Sequence, residues 1–451
     1  MTMSTLATRL GFLSFVTAFS FPAVAATLCV NPAGSGGCYA SIQSAVNHAA
    51  AYDVIKVGPG TYKEGVVIGI PLSLFGAGAD ESTIDATNQP NGVLVDGFNH
   101  PGLHKVVVAG FTVENAQFEG ILAVSATDVT IRNNSVINND QSPGLIFTGL
   151  PTGCPGQPAY ETDETGDCGG AVHLIGVSNS TVSGNLITGN ADGLLISDET
   201  AISKGNLVTQ NNVINNPLEC GIVLASHPPV GSSGPFFAPH YGVVGNTVTN
   251  NVSTGNGVQI GGSGVGLFSD GAGPGRVSEN LISHNKLVGN GLGGVALHTH
   301  VGPAFGAPAD NMENNTITGN YIASNLADLF DTATPGRVGI NINSGGGGSP
   351  VTGTVITFNI ISDEDVDIAI NTPAKVEIHT NNLLGGKIGV ANVCAFDGAT
   401  ICGGVIDAKR NYWGCPEGPG AGGTCSSIPA EYSADIFFAP WIPQPVANGH
   451  N

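Results

Sequence analysis

Aliphatic residues recur at short, regular intervals along this chain, with asparagines between them. The pattern is asparagine, any residue, an aliphatic residue, two further residues and asparagine. It occurs in tandem at Asn206/Asn211/Asn216, Asn246/Asn251/Asn256, Asn280/Asn285/Asn290 and Asn315/Asn320/Asn325. Alternating segments typical of strands begin downstream, at Gly221, Gly294 and Gly339. Because the register returns every 34 to 40 residues, the pattern indicates the stacked coils of a solenoid.

The strand segments are short, and Gly, Pro or Asp turns separate them. We expect the core to consist of inward-facing aliphatic pairs, such as Val172 with Leu174 and Ile222 with Leu224. No such segment can bury a core alone, so its stability should come from the coils above and below. We therefore predict an all-β body that forms one elongated domain.

The recurring asparagines have a structural explanation. A tight turn between two sheets needs a residue in the left-handed backbone region, which glycine and asparagine tolerate best. Equivalent side chains in stacked coils should lie about 4.8 Å apart, so their amides can donate and accept along the stack. We predict asparagine ladders and favour this role over ligand binding.

Both ends of the chain carry distinct patterns. Residues 1–25 have the apolar stretch and small-residue site of a signal peptide. A β-helix domain with an N-terminal cap is predicted over 26–410, and a C-terminal cap with an irregular tail over 411–451. Ser41 should cap a short helix whose buried face holds Ile42, Ala45, Val46 and Ala49. Trp413 should close the last coil; a carbohydrate platform is the alternative.

Nine cysteines in an exported chain indicate disulfides. Eight of them form close sequential pairs, and Cys220 is left over. Proximity in sequence does not fix the connectivity, so other pairings stay open. The candidate pairs are Cys29 with Cys38, Cys154 with Cys168, Cys394 with Cys402, and Cys415 with Cys425.

The charge balance limits the possible partners. With 13 basic and 34 acidic residues the net charge is −21, which argues against nucleic acid and anionic membranes. No stretch after the signal peptide is long and apolar enough for membrane insertion. A polyanionic sugar would be repelled unless divalent cations such as calcium bridge it to the protein. Solubility after export explains the same acidic balance.

Three segments resemble right-handed parallel β-helix proteins of the pectin-lyase-like superfamily, particularly exported bacterial members of undefined activity. They are CYASIQSAVNHAAAYDVIKVGPGTYKEGVVI at 38–68, the asparagine coils from about 129 to 384, and NYWGCPEGPG at 411–420. The resemblance implies a right-handed parallel β-helix, a secreted or periplasmic protein, and a polysaccharide or cell-surface glycan as partner. Signature segments of pectin methylesterases, polygalacturonases and pectate lyases are absent, so no catalytic residue is carried over. We expect a monomer.

Polar residues at the outward and terminal positions of the strands form our candidate ligand-binding face. Stacking in register should bring them along one side of the solenoid, with loops 226–241 and 301–311 walling a groove. Histidine beside carboxylates can move protons or hold a cation. Exposed histidines without function are the alternative, and a register slip of one residue would turn every group inward. The residues are His173, Glu199, His227, Asp270, His298 and His300.

Two acidic clusters could bind calcium, but we favour solvated loops as their explanation. One is Glu161, Asp163, Glu164 and Asp167, and the other is Asp363, Glu364, Asp365 and Asp367. Arg276 and Arg337 are expected to pair with nearby acidic residues. No metal site is assigned. We favour an exported protein that recognises a polysaccharide along a groove on one solenoid face, with or without cleavage as a lyase or hydrolase. A non-catalytic adhesion or structural module and a periplasmic metal-handling protein are the alternatives.

Overall fold

The computed structural model describes residues 25–139, 158, 160, 170–232, 239–259, 261–269, 274–299, 302–303, 306–327, 336–345, 347–393 and 404–447. Its secondary structure is one α-helix, α1 (Ile42–His48), two short 3₁₀ helices (Ala421–Gly423 and Ala430–Tyr432) and many short strands. No helix in this described part of the chain is long and apolar enough to cross a membrane.

The strands, in chain order, are β1 (Thr27–Val30), β2 (Asp53–Val57), β3 (Gly60–Tyr62), β4 (Val66–Ile68), β5 (Leu72–Gly76), β6 (Ser82–Asp85), β7 (Val93–Asp96), β8 (Val107–Ala109), β9 (Thr112–Glu114), β10 (Ile121–Val124), β11 (Thr130–Arg132), β12 (Ser135–Ile137), β13 (Val172–Ile175), β14 (Thr181–Ser183), β15 (Leu186–Thr188), β16 (Leu194–Ser197), β17 (Ser203–Lys204), β18 (Leu207–Thr209), β19 (Asn212–Ile214), β20 (Ile222–Ser226), β21 (Val243–Val244), β22 (Thr247–Thr249), β23 (Val252–Thr254), β24 (Val265–Ser269), β25 (Val277–Ser278), β26 (Leu281–Ser283), β27 (Lys286–Val288), β28 (Val295–Thr299), β29 (Thr316–Thr318), β30 (Tyr321–Ala323), β31 (Val338–Asn343), β32 (Val355–Thr357), β33 (Ile360–Ser362), β34 (Val366–Asn371), β35 (Val376–His379), β36 (Asn382–Leu384), β37 (Ile388–Asn392), β38 (Ile406–Asp407) and β39 (Ile436–Phe437).

These strands form three long parallel sheets that run the length of the molecule. Sheet A has 14 strands from β1 to β39, sheet B has 11 from β3 to β36, and sheet C has 11 from β4 to β37. Successive strands along the chain belong to sheets C, A and B in turn. For example, β13 lies in sheet C, β14 in sheet A, β15 in sheet B and β16 in sheet C again. Each strand pairs in parallel with its equivalent in the next coil, for example Val172 with Leu194. The predicted right-handed parallel β-helix is confirmed.

One continuous aliphatic core fills the interior, from Val30 near the N-terminus to Trp413 near the C-terminus. Strands of sheets A and B usually give only their middle residue to it, as Val182 does in β14 and Val208 in β18. The coils above and below cover each of these residues. Coil stacking therefore supplies the burial that one short strand cannot.

The predicted N-terminal helix is confirmed, and it is capped twice. The Ser41 hydroxyl accepts the backbone N–H of Ser44 at 3.2 Å. Glu64, which the sequence pattern did not indicate, accepts the backbone N–H groups of Ile42 and Gln43 at 2.8 and 2.9 Å. These bonds satisfy free donors of the first turn and tie the helix to the first coils.

The asparagine ladders are confirmed, with a correction to their geometry. In one ladder the Asn251 side-chain oxygen accepts both the backbone N–H and the amide group of Asn211, each at 3.0 Å. Asn251 in turn donates to Asn285 at 3.0 Å. However, the left-handed residue is the one before the ladder position: Asn250 has φ of 57°, and Gln210 has the same value. Turn formation and amide stacking therefore belong to adjacent residues.

Long connections leave sheet C towards sheet A after β20 and β28, as predicted for loops 226–241 and 301–311. Strands β17, β21 and β25, which follow β16, β20 and β24 of sheet C, form a small sheet D. At the C-terminus the tail is more regular than predicted, because β39 adds a final strand to sheet A. The division at 25/26 and 410/411 stays a prediction.

Candidate functional site

Over most of its length sheet C differs from sheets A and B because both of its faces are buried. Every residue of β13, β16 and β20 is buried. His173 in β13 pairs in register with Leu122 and Leu195, which belong to small clusters outside the interior core. It therefore points outward, yet lies away from water. A polar side chain in such a position needs hydrogen-bonding partners.

Five buried side chains form one hydrogen-bonded chain across four consecutive coils, and we call it the polar chain: Glu119, His173, Ser197, Glu199 and His227. His173 Nδ1 lies 3.5 Å from Glu119 Oε1, and its Nε2 lies 2.7 Å from Ser197 Oγ. Ser197 Oγ also lies 2.6 Å from Glu199 Oε2. His227 Nδ1 completes the polar chain, 2.8 Å from Glu199 Oε1.

The central hydroxyl couples the protonation of its two neighbours. Ser197 has one hydrogen to donate, and it faces His173 on one side and Glu199 on the other. If Glu199 is ionised, the hydroxyl donates to it and accepts from His173 Nε2–H. If Glu199 holds a proton, the hydroxyl can turn and donate to the imidazole. The polar chain can thus pass a change of charge from one coil to the next.

A second set of bonds starts at Asp198, beside the polar chain. Its Oδ1 accepts the backbone N–H of His227 at 2.8 Å, and its Oδ2 accepts the backbone N–H of Gly242. The Ser226 hydroxyl lies 3.1 Å from Asp198 Oδ2 and 3.1 Å from His240 Nδ1. Asp198 therefore fastens both ends of the connection that follows β20.

Burial dominates the electrostatics of this second set. It raises the pKa of Asp198 to about 7, with the adjacent Glu199 charge acting in the same direction and the backbone donors opposing it. Burial also lowers the pKa of His240 to about 4, helped by nearby His227. His240 is therefore neutral at neutral pH, whereas Asp198 changes charge there.

The structure brings half of the six predicted site residues together: His173, Glu199 and His227. His298 lies further along sheet C, where its Nε2 is 3.2 Å from Asn341 Nδ2 and its ring meets Phe268 edge-on at 5.5 Å. Asp270 and His300 lie outside the described residues. The expected exposure is wrong for the described histidines, since His173 and His298 are 0% exposed. Their role in ligand binding stays a prediction.

Sequence reasoning missed Glu119, Ser226 and His240 as members of this region. Glu119 lies just before a strand, in the segment Phe-Glu-Gly, a place that resembles many turn positions. His240 comes from a long connection whose path no periodic pattern indicates. The only available signal was a polar residue at or near a strand end, which is too common to select these three.

The second acidic cluster is split by the fold. Glu364 and Asp367 are buried, so the solvated-loop alternative is wrong for them. Asp365 pairs with Lys387 at 2.6 Å and with Arg337 at 3.4 Å, as expected for that arginine. Arg276 approaches Glu279 at 3.9 Å. The first acidic cluster lies outside the described residues.

Two of the four predicted disulfides are confirmed. Cys29 is bonded to Cys38, and Cys415 is bonded to Cys425. The other two predicted pairs lie outside the described residues, so they stay predictions. One of these pairs is Cys154 with Cys168, and the other is Cys394 with Cys402.

Two further features involve cysteine. Within the described part of the chain, Cys415 and Cys425 lie with Glu417 in a group compact enough for a metal ion. The disulfide between these two cysteines removes both thiolates as ligands. Cys220 is a buried free thiol, and burial raises its pKa.

Comparison with known proteins agrees with this geometry. The family model described as "Right handed beta helix region" matches residues 77–265. The catalytic domain of a GH87 α-1,3-glucanase in complex with tetrasaccharides is similar at 14% identity, with 94% of this chain and 70% of that chain covered and a TM-score of 0.59. Polygalacturonase from Erwinia carotovora ssp. carotovora is similar at 10% identity, with 96% and 98% covered and a TM-score of 0.52.

A third similar structure is the catalytic unit of the GH87 α-1,3-glucanase from Streptomyces thermodiastaticus strain HF3-3. It is 15% identical, with 89% of this chain and 66% of that chain covered and a TM-score of 0.50. Comparison with curated proteins finds no match. At these identities the similarities concern the fold alone. The chain has the right-handed parallel β-helix fold.

Proposed function

We propose that this protein recognises a polysaccharide that lies along the outer side of sheet C, parallel to the solenoid axis. The polar chain carries this proposal, because it runs in that same direction across four coils. Neighbouring strands are about 4.8 Å apart, so the polar chain spans about 15 Å from the coil of Glu119 to that of His227. A long polymer can follow such a path, whereas a small ligand would need one pocket.

The polar chain would act from beneath the binding surface. Its members are at most 3% exposed, so they cannot form the whole contact with a sugar. Glu199, together with the adjacent Asp198, ties the connection after β16 to His227 at the start of the connection after β20. Fixed connections present a preorganised surface, which lowers the entropy lost on binding.

Charge favours a neutral glycan. The net charge is −21, and Glu119, Asp198 and Glu199 add carboxyl groups near the proposed surface. A uronic acid polymer would be repelled unless a cation such as calcium bridged it. The similar structures include an α-1,3-glucanase, named for a neutral glucan, and a polygalacturonase. They support a glycan as the ligand class.

An extracellular or periplasmic location fits this function. Disulfides persist in oxidising compartments, and Cys29–Cys38 and Cys415–Cys425 join residues near both ends of the solenoid. Residues 1–25 would direct export as a signal peptide.

A binding and cleavage assay tests the proposal. The full chain is run through gels containing α-1,3-glucan, xylan, galactomannan, alginate or polygalacturonate, and each reaction is analysed for released oligosaccharides. We expect retardation by a neutral polymer, and weaker retardation of His227→Ala and Glu199→Gln. His48→Ala, which changes an exposed histidine on α1, is the matched control.

Released products would identify an enzyme, and binding without products would identify a recognition module. If no polymer retards the protein, the proposal is wrong. If His227→Ala and Glu199→Gln bind as the wild type does while remaining folded, the polar chain does not support the binding surface.

A further inference from the structure

Phe98 is an exposed aromatic residue with an immobilised backbone. Its side chain is 42% exposed, just beyond the end of β7. On one side the Gly97 N–H donates to Val124 O at 2.9 Å. On the other, the backbone and side chain of Asn99 donate to the carboxylate of Asp96 at 3.0 and 2.9 Å. The ring rests against a second aromatic ring, Tyr160, with centroids 5.1 Å apart.

Tyr241 has the same kind of environment. It is 49% exposed, and both of its neighbours are fastened to buried groups. Before it, His240 Nδ1 lies 3.1 Å from the Ser226 hydroxyl. After it, the Gly242 N–H donates to Asp198. In both places a buried aspartate at the end of a sheet C strand fixes the backbone beside an exposed ring.

The two rings lie on the same corner of the solenoid, in connections that lead from sheet C to sheet A. Bridges align these connections from coil to coil, through His104, Thr127, Ser178 and Lys204. Lys204 then pairs with Val244, three residues after Tyr241. Four coil steps separate the two connections, which corresponds to about 19 Å along the axis.

We propose that Phe98 and Tyr241 are two sugar-stacking positions for a neutral glycan chain that lies along the corner between sheets C and A. This inference rests on the proposed polysaccharide recognition and names its contact residues and ligand class. An aromatic ring offers a broad apolar face to the C–H face of a sugar, and rigid rings lose little entropy on contact. Asp96 and Asp198, which lie behind them, disfavour an anionic chain.

The spacing explains why two positions would act together. A single stacked sugar binds weakly, but two contacts on one chain make the second contact intramolecular. The connections between the two rings hold the backbone of Thr127, Ser178 and Lys204 in register, so the distance between the rings is fixed. A chain long enough to reach both rings should therefore bind more tightly than a short fragment.

Five variants of the full chain, one of them a control, test the inference in affinity gels with α-1,3-glucan, xylan and galactomannan, and with polygalacturonate as the charged comparison. Phe98→Ala and Tyr241→Ala should each weaken binding to the neutral polymer about fivefold to tenfold. Phe98→Tyr and Tyr241→Phe keep a ring and should bind as the wild type does. Tyr321→Ala, which removes an exposed ring from sheet B, is the matched control.

The outcomes separate the two proposals. If the wild type binds a neutral polymer and both alanine variants bind equally well, the stacking positions are wrong while polysaccharide recognition stands. If Tyr321→Ala weakens binding as much as they do, the corner is not the binding surface. Preferential binding of polygalacturonate would overturn the neutral ligand class. If the wild type binds none of the polymers, both proposals fall.

Discussion

Glu364 receives two hydrogen bonds from Asn325 through a single carboxylate oxygen. Oε1 of Glu364 accepts the backbone N–H of Asn325 at 3.0 Å and its side-chain amide at 2.9 Å. The same pair of bonds joins Asn290 to Asn325 in the preceding coil. Glu364 therefore takes the asparagine position where this ladder ends, and its Oε2 is buried without a partner among the described residues.

The ladder position should make stability depend on pH. Burial raises the pKa of Glu364 from 4.5 to about 7, although the bonds from Asn325 and the charge of Arg337 act against it. Below pH 4.5 the carboxyl is protonated in both the folded and the unfolded state, so no ionised group is buried and the folded state is not destabilised. Between pH 4.5 and about 7 the folded state holds the extra proton, and stability falls as pH rises. Above about pH 7 the carboxylate is ionised in the folded state as well, and its burial lowers the free energy of unfolding by the full amount.

Glu364→Gln should remove this cost while its side-chain oxygen still accepts from Asn325. We expect the variant to gain about 1–3 kcal/mol over the wild type at about pH 8 and little at about pH 4, measured by guanidinium unfolding. Glu313→Gln, the same change at an exposed glutamate, is the control and should show no such dependence. An equal gain at both pH values would contradict the explanation.

Two adjacent asparagines allow a test of the ladder geometry. Asn250 is exposed with φ of 57°, whereas Asn251 is buried and bonded to Asn211 and Asn285. Asn250→Gly should change the free energy of unfolding by less than about 0.5 kcal/mol, because glycine accepts positive φ. Asn251→Gly should cost about 2–4 kcal/mol, because it leaves buried groups unpaired. Equal costs in denaturant melts would show that the two positions share one role.

These ladders show why the fold could be predicted from sequence. The asparagine spacing repeats once per coil, so many weak signals agree on one register. The backbone role was assigned to the wrong residue because Asn, Gly, Gln and His all occupy the preceding position, as Asn250, Gln210 and His284 do. That position selects for a tolerated φ rather than for one side chain, so its pattern is weak.

The candidate site was less predictable. Alternation placed His173 on the outward face of β13 correctly, but an outward residue is exposed only if nothing covers it. At β13 both faces of sheet C are buried, and the outer cluster of Leu122, Val124 and Ile175 includes Tyr160, a residue that no periodic pattern indicates. Bonds such as Glu119 with His173 join residues 54 positions apart. No local spacing encodes such a contact.

The coupling through Ser197 can be measured with a double-mutant cycle. Ser197→Ala removes the group between His173 and Glu199 and should cost about 1–3 kcal/mol in free energy of unfolding. Combined with Glu199→Gln, the loss should differ from the sum of the single losses by at least about 0.5 kcal/mol. Ser183→Ala, on the half-buried outer face of sheet A, is the control and should cost little. Additive losses would show that Ser197 does not link its neighbours.

The two tryptophans should report on the C-terminal cap in opposite ways. Trp413 is 0% exposed and meets Phe438 edge-on at 6.4 Å, which confirms core capping and leaves no ring face for a sugar. Trp441 is 37% exposed and donates to Pro416 O at 3.1 Å. Trp413→Ala should therefore lower the free energy of unfolding by about 3–5 kcal/mol, and Trp441→Ala by less than about 1 kcal/mol.

Fluorescence gives a second measurement. Because the chain has only two tryptophans, the emission of Trp441→Phe comes from Trp413 alone, and it should be blue-shifted and resistant to quenching by acrylamide. Ready quenching in the native protein would place Trp413 at the surface and remove it from the cap.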